Sequence, residues 1–137
     1  MSDIDAVLFA NEAFYQAFAD RDIDAMDQVW AENVPVACLH PGWPLLDGRD
    51  QVLQSWVSIL ANPDSPEILC HDATSHILGD AAYVVCLEEI DGLFLVATNI
   101  FAHQQGPHGK IWRLAHHQSG PTSQKPSGSK EPDAAVN

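Results

Sequence analysis

Seven histidines, three cysteines and nineteen carboxylates are the reactive groups of this 137-residue chain, and their spacing singles out only a few for shared chemistry. The segment Lys110-Ile-Trp-Arg-Leu-Ala-His-His-Gln-Ser-Gly120 reads as a strand ending in two histidines. Side chains alternate across a strand, so Trp112, Leu114, His116 and Gln118 share one face, and Arg113, Ala115 and His117 the other. The apolar pair Trp112 and Leu114 marks the interior, which predicts His116 as the pocket histidine and His117 as outward-facing or at a subunit contact. An imidazole there suits general acid/base work, because its ordinary pKa lies near neutrality. His40 stands where a strand enters the turn His40-Pro-Gly-Trp43, so it can reach a cavity mouth with Trp43 and Trp56. The alternative is that both indoles are packing and His40 hydrogen-bonds the turn. Asn99 interrupts the apolar run Leu93 to Phe101, where a buried amide without partners costs roughly 2 kcal/mol or more. It shares a face with Leu95, Ala97 and Phe101, a plausible cavity lining. In the doublet Glu88-Glu89 one carboxylate faces in and one out. Glu89 aligns with Tyr83, Val85 and Leu87, and if that face lines the cavity, desolvation raises its pKa toward the range of a general base; a solvated rim is the alternative.

Other groupings lead away from chemistry. Adjacent strand residues such as His116 and His117 diverge and cannot readily share one ion, His71 and His76 have opposite facings, and no HxxxH pair or Cys/His cluster has ligand spacing. No metal and no cofactor is expected. Asp20, Asp22, Asp24 and Asp27 fit a helix cap and first turn, and no glycine-rich loop cradles a phosphate. Cys38, Cys70 and Cys86 lie in apolar contexts without a CxxC pair, which predicts buried reduced thiols. The net charge of −13, with no Lys or Arg between Arg49 and Lys110, argues against nucleic acid or a membrane surface as partner. With no basic leader and no long apolar run, a cytoplasmic location is expected.

Any site must be positioned by the surrounding elements. Ser2 or Asp3 caps a helix from Ile4 to Ala19, on which Ile4, Val7, Leu8, Phe14, Tyr15 and Phe18 recur at helical spacing. Asp22 caps a shorter helix from Ile23 to Trp30, and Val34 to His40 reads as a strand. A third helix spans Arg49 to Ala61, with Val52, Trp56, Ile59 and Leu60 on one stripe. Strands follow at Glu67–Leu78, Ala81–Ile90, Leu93–His103 and Lys110–Ser119, with a hairpin signal at Asp91-Gly92. Helices first and a strand meander afterwards define an α+β class. Residues 1–121 form one domain, and the Pro-, Ser- and Gly-rich stretch 122–137 is expected to be a disordered tail.

This order of elements resembles the nuclear transport factor 2-like superfamily and, within it, the SnoaL-like branch. The matching residues are Phe14-Tyr-Gln-Ala-Phe18, Asp22-Ile-Asp-Ala-Met26, Trp30, His40-Pro-Gly-Trp43, Gly48-Arg49, Ser55-Trp56, Ala97-Thr-Asn-Ile-Phe101 and Trp112-Arg-Leu-Ala-His-His117. The resemblance implies a cone: three N-terminal helices packed on a strongly curved, mostly antiparallel sheet that encloses a cavity, with the outer sheet face used to form a homodimer. The closing strand also resembles the association domain of calcium/calmodulin-dependent protein kinases, whose pocket arginines are matched here by Val85 and Asn99, so no anion clamp is implied. The implied function is binding of a small apolar or weakly polar molecule in a pocket dressed by His40, Trp43, Trp56, Tyr83, Asn99 and His116. Two alternatives stand beside it. One is cofactor-independent isomerase, dehydratase or cyclase chemistry, with His116 or Glu89 as base and Asn99 or Tyr83 as donor. The other is a dimeric assembly module without catalysis.

Overall fold

The computed structural model describes residues 1–128; the rest of the expected tail, 129–137, lies outside the described residues. Helix α1 (Asp3–Ala19) starts where the Ser2 hydroxyl accepts a hydrogen bond from the Asp5 amide at 3.1 Å, with Asp3 and Asp5 in its first turn. Helix α2 (Ile23–Val29) is capped in the same way by Asp22. The left-handed Arg21 between them sends its guanidinium to the carbonyls of Leu60 (3.4 Å), Asn62 (2.7 Å) and Ser65 (2.7 Å), at the end of α3 (Arg49–Ala61) and just beyond it.

The strands are β1 (Ala37–Leu39), β2 (Leu46–Asp47), β3 (Leu69–Leu78), β4 (Ala81–Ile90), β5 (Leu93–Gly106) and β6 (Gly109–Pro121), in the spatial order β2-β1-β6-β5-β4-β3. The sheet is curled but not closed, with β2 and β3 as its edges. All neighbours are antiparallel except β1 and β6, where Cys38 lies opposite His117. Asp91 and Gly92, both at positive φ, make the tight β4–β5 turn that such a dipeptide favours. His40-Pro-Gly-Trp43 closes a turn with a 2.9 Å bond from the Trp43 amide to the His40 carbonyl, Gly42 supplying the positive φ. The two-residue strand β2 has no counterpart in the sequence reading. Beyond β6, residues 122–128 are held by bonds from the Thr122 amide to the Phe94 carbonyl and from the Ser127 amide to the Asp72 carboxylate.

Helices and sheet meet with complementary sizes. The helical layer supplies Phe14, Tyr15, Phe18, Met26 and Trp56, and the facing positions of the central strands are small: Ala82, Val84, Cys86 and Ala97. Phe14 packs edge-on against Trp56 (5.4 Å between centroids) and Trp30 (6.3 Å), so rings fill the middle of the cone. The open space lies to one side, between α1 and β3.

One irregularity in β6 governs the site. Ile100 pairs with His116 but Phe101 pairs with Leu114, leaving Ala115 as an extra residue. Such a bulge reverses the in–out alternation beyond it. Trp112 and Leu114 face the core on one side of it, and His117 and Ser119 are the buried residues on the other.

Candidate active site

Between α1 and the edge strand β3 lies a cleft of about 780 Å³. Leu8, Phe9 and Ala13 form its helical wall and Ile68, Leu69 and Ala73 its strand wall, with Glu12 and Gln16 toward solvent. Asn11, Tyr15 and Cys70 make its inner lining, and among the described residues no Lys, Arg or His borders it. Asn11 and Tyr15 sit four residues apart on the buried stripe of α1, so the helix turns both polar groups toward the sheet.

Behind this lining is a buried polar network whose proton positions follow from its bonds. The Asn99 amide donates to Asn11 Oδ1 (2.8 Å) and to the Tyr15 hydroxyl (3.2 Å). Its carbonyl oxygen must therefore accept, and His117 Nδ1–H donates to it at 2.5 Å. Burial, aided by the His40 and His116 imidazoles, lowers the His117 pKa to about 3. His117 is thus neutral, with Nε2 unprotonated and 3.9 Å from Glu88 Oε2. That contact is not an ion pair.

Glu88 is 2% exposed and bonds to the Tyr15 hydroxyl at 2.6 Å. Burial raises its pKa, and the bond to Tyr15 pulls it only part of the way back. Burial, with Glu88 and Cys86 adding to it, holds Tyr15 well above the usual phenol range. Tyr15 also touches the Cys86 sulfur at 3.2 Å. Two proton arrangements satisfy the group: with Glu88 ionised, Tyr15 donates to it; with Glu88 neutral, the carboxyl donates to Tyr15, which then donates to Cys86. The two arrangements differ by one proton on Glu88, and the direction in which Tyr15, at the cleft lining, points its hydroxyl follows from it.

A second buried polar pair joins the end of β1 to α3. The Ser55 hydroxyl donates to the Val52 carbonyl at 2.6 Å and accepts from His40 Nε2 at 2.9 Å. Burial lowers His40 to about 4, so it too is neutral. Its ring contacts Trp43 and Trp56 edge-on, at 4.7 and 4.8 Å.

Several sequence expectations are corrected by these positions. His116 lies on the outer face opposite Ile100, because the bulge at Ala115 exchanges it with His117. Glu89 also faces outward, where it meets His71 at 2.9 Å, and Glu88 is the inward carboxylate. The inner face of β4 is the small-residue set Ala82, Val84 and Cys86, not the bulkier Tyr83, Val85 and Leu87. Tyr83 stacks on His76 on the outer face (4.7 Å) and touches no network residue. Asn99 is fully buried at the centre of the network. Trp56 belongs to the core, and Trp43 is 44% exposed over His40. None of the six proposed ligand contacts, His40, Trp43, Trp56, Tyr83, Asn99 and His116, borders the α1–β3 cleft. The residues missed were Asn11, Tyr15, Cys70, Cys86, Glu88 and His117. The available signal was an amide on the apolar stripe Val7, Asn11, Phe14, Tyr15, Phe18.

Three helices packed on an open, curled, mostly antiparallel six-stranded sheet make this an NTF2-like fold. Residues 7–123 match the SnoaL-like domain family, and the chain belongs to it. A candidate dehydratase of the NTF2-like family from Streptomyces avermitilis is 31% identical, with a TM-score of 0.74 over 88% of this chain and 96% of that one. A candidate calcium/calmodulin-dependent protein kinase type II association domain from Thiobacillus denitrificans is 27% identical, with a TM-score of 0.70 over 83% of this chain and 93% of that one. F-box protein SKIP8 of Arabidopsis thaliana is 28% identical over 116 residues, 83% of this chain and 48% of that protein. The chain thus spans about half the length of this curated relative. No helix among the described residues is long and apolar enough to cross a membrane.

Proposed function

We propose that the α1–β3 cleft binds a small, uncharged, largely apolar molecule whose single polar group bonds to Asn11 and Tyr15. The observation that carries this reading is the cleft itself: apolar walls, a polar inner end, Glu12 at its rim and, among the described residues, no cationic side chain. Such a lining favours a neutral carbonyl or hydroxyl compound and disfavours anions. Thermal-shift and calorimetric screening of small apolar carbonyl compounds tests it, with Ala13→Trp to fill the cleft and Tyr15→Phe to remove the phenol. Ligands should stabilise the wild type, lose most of their affinity with Ala13→Trp and weaken with Tyr15→Phe. Undiminished binding to Ala13→Trp would place the ligand elsewhere.

The 2.6 Å Tyr15–Glu88 bond favours a second reading, the general-acid half of a dehydration or isomerisation without cofactor. Tyr15 would protonate a departing hydroxyl, the carbon–oxygen bond would break with loss of water as a solvent water takes the α-proton and the carbon–carbon double bond forms, and neutral Glu88 would return a proton to Tyr15 and be reprotonated from solvent. The likeness to a candidate dehydratase supports it. Release of conjugated enone from β-hydroxy carbonyl compounds, lost in Glu88→Gln and Tyr15→Phe, is the measurement; binding without any turnover leaves the first reading alone. The outer sheet face, with Thr98 and Ile100 exposed, is proposed to pair two copies, to be checked by sedimentation. Three free thiols fit a reducing, cytoplasmic setting.

A further inference from the structure

Two sulfurs meet at the inner end of the cleft, and neither reading above requires them. Cys70, the second residue of β3, is partly exposed in the cleft wall, and Cys86 on β4 is 2% exposed just behind it. The register sets Cys70 opposite Glu88, so Cys86, two residues away and on the same inner face, is its diagonal neighbour. The Asn11 amide is 3.9 Å from the Cys70 sulfur and also favours the Cys86 thiolate, so one side chain bridges both. The thiols act on each other as well: the neighbouring Cys86 holds Cys70 protonated, and Cys70 together with the Tyr15 contact lowers the pKa of Cys86. A diagonal pair normally stands somewhat too far apart for a sulfur–sulfur bond. Here β3 is a sheet edge, paired on one side only, and a bulge between His71 and Thr74, with Asp72 at φ 56, follows Cys70 directly. An edge segment beside a bulge gives more easily than a central strand.

We propose that Cys70 and Cys86 are a reversible oxidation site that closes to an intramolecular disulfide when a small hydroperoxide enters the α1–β3 cleft. The Cys86 thiolate attacks hydrogen peroxide, the oxygen–oxygen bond breaks, and the proton that the thiol gave up joins the departing hydroxide as water, leaving a sulfenic acid. The Cys70 sulfur then attacks Cys86, the sulfur–oxygen bond breaks, and the Cys70 proton leaves with the hydroxyl as a second water. In sum, two thiols and one hydrogen peroxide give a disulfide and two waters, and a reducing thiol reverses the change. A small neutral oxidant suits a cleft that no cationic side chain among the described residues borders. Cys38 is the internal control: it is fully buried, burial and then Glu88 push its thiol up to about 12, and its sulfur neighbours His40 at 3.7 Å with no second thiol. The crosslink does not depend on whether the cleft takes an organic ligand.

The test treats the full reduced chain with stepwise hydrogen peroxide, alkylates under denaturing conditions, and reads intact mass and peptide maps. The expected result is loss of two hydrogens, a linked Cys70–Cys86 peptide from a monomeric band, Cys38 still alkylated, and full reversal by dithiothreitol. Cys70→Ser should arrest Cys86 at the sulfenic acid, trapped by dimedone, and Cys86→Ser should abolish crosslinking. The proposal is overturned if both thiols stay alkylatable or pass to sulfinic acid without crosslinking, if the link joins separate copies, or if Cys38 oxidises as fast as the pair. Wild-type mapping decides the matter even if a serine variant misfolds.

Discussion

Acidification from pH 7 to pH 5 should destabilise the fold through two imidazoles that it buries without charge. His117 is 3% exposed with its pKa lowered to about 3, and His40 is 7% exposed with its pKa lowered to about 4, chiefly by burial in both cases. In the unfolded chain both protonate around pH 6.5. Between the folded and unfolded values the unfolded state binds more protons, so stability falls as pH drops below about 6.5 and is regained above it. Each group costs about 1.4 kcal/mol per pH unit in that window, hence roughly 2 kcal/mol apiece at pH 5 and roughly 4 kcal/mol together. Glu88 acts in the opposite sense. Its raised pKa means that the folded state holds a proton the unfolded state lacks above about pH 4.5, a cost that shrinks as the pH falls. Even if Glu88 stays protonated up to pH 7, it offsets roughly 2.5 kcal/mol over this interval, leaving a net loss of about 1 to 4 kcal/mol against a domain's usual 5–15 kcal/mol. Urea unfolding followed by tryptophan fluorescence at pH 7, 6 and 5 measures the slope. His117→Asn, which keeps a donor toward Asn99 but cannot titrate, should remove about half of the histidine contribution. A flat pH profile, with the His117 ring signal titrating near 6.5, would refute the buried-neutral assignment.

Two further substitutions probe the frame of the site. Asn99→Leu strands the Asn11 carbonyl and His117 Nδ1–H together, and should cost about 2 to 5 kcal/mol in chemical denaturation; a loss below about 0.5 kcal/mol would mean that the network is not structural. Gly48 holds φ 94 and ψ 151 at the start of α3, a region essentially closed to side chains, so Gly48→Ala should cost about 1 to 3 kcal/mol and lower the melting temperature, although open space surrounds the added methyl group.

The helices, the hairpins and the resemblance to the SnoaL-like branch were legible because each rests on local chemistry: Ser2 and Asp22 as caps, Asp91-Gly92 as a turn, a 3.6-residue stripe on α1. The site was less legible because it depends on alternation carried through a strand. Trp112 and Leu114 correctly mark the inner face, but the parity breaks at Ala115, and nothing in Arg-Leu-Ala-His-His announces a bulge. On β4 the larger side chains suggested the wrong face, since what the sheet must accept is set by the helix opposite, where Phe14, Tyr15 and Phe18 leave room only for Ala82, Val84 and Cys86. Asn99 was placed on the correct face because β5 keeps its alternation as far as Phe101. The cleft itself is a relation between α1 and β3 that no single segment encodes.

Arg21 bears on where this molecule comes apart first. All three of its acceptors are main-chain oxygens at the end of α3 and just past it, groups that neither titrate nor lose their pull in salt as an ion pair would. Acid that erodes the imidazole-bearing interior leaves this tie untouched, so the corner joining α1, α2 and α3 should outlast the sheet. Amide exchange at pH 5 would then be expected to quicken in β6 before it quickens in α3.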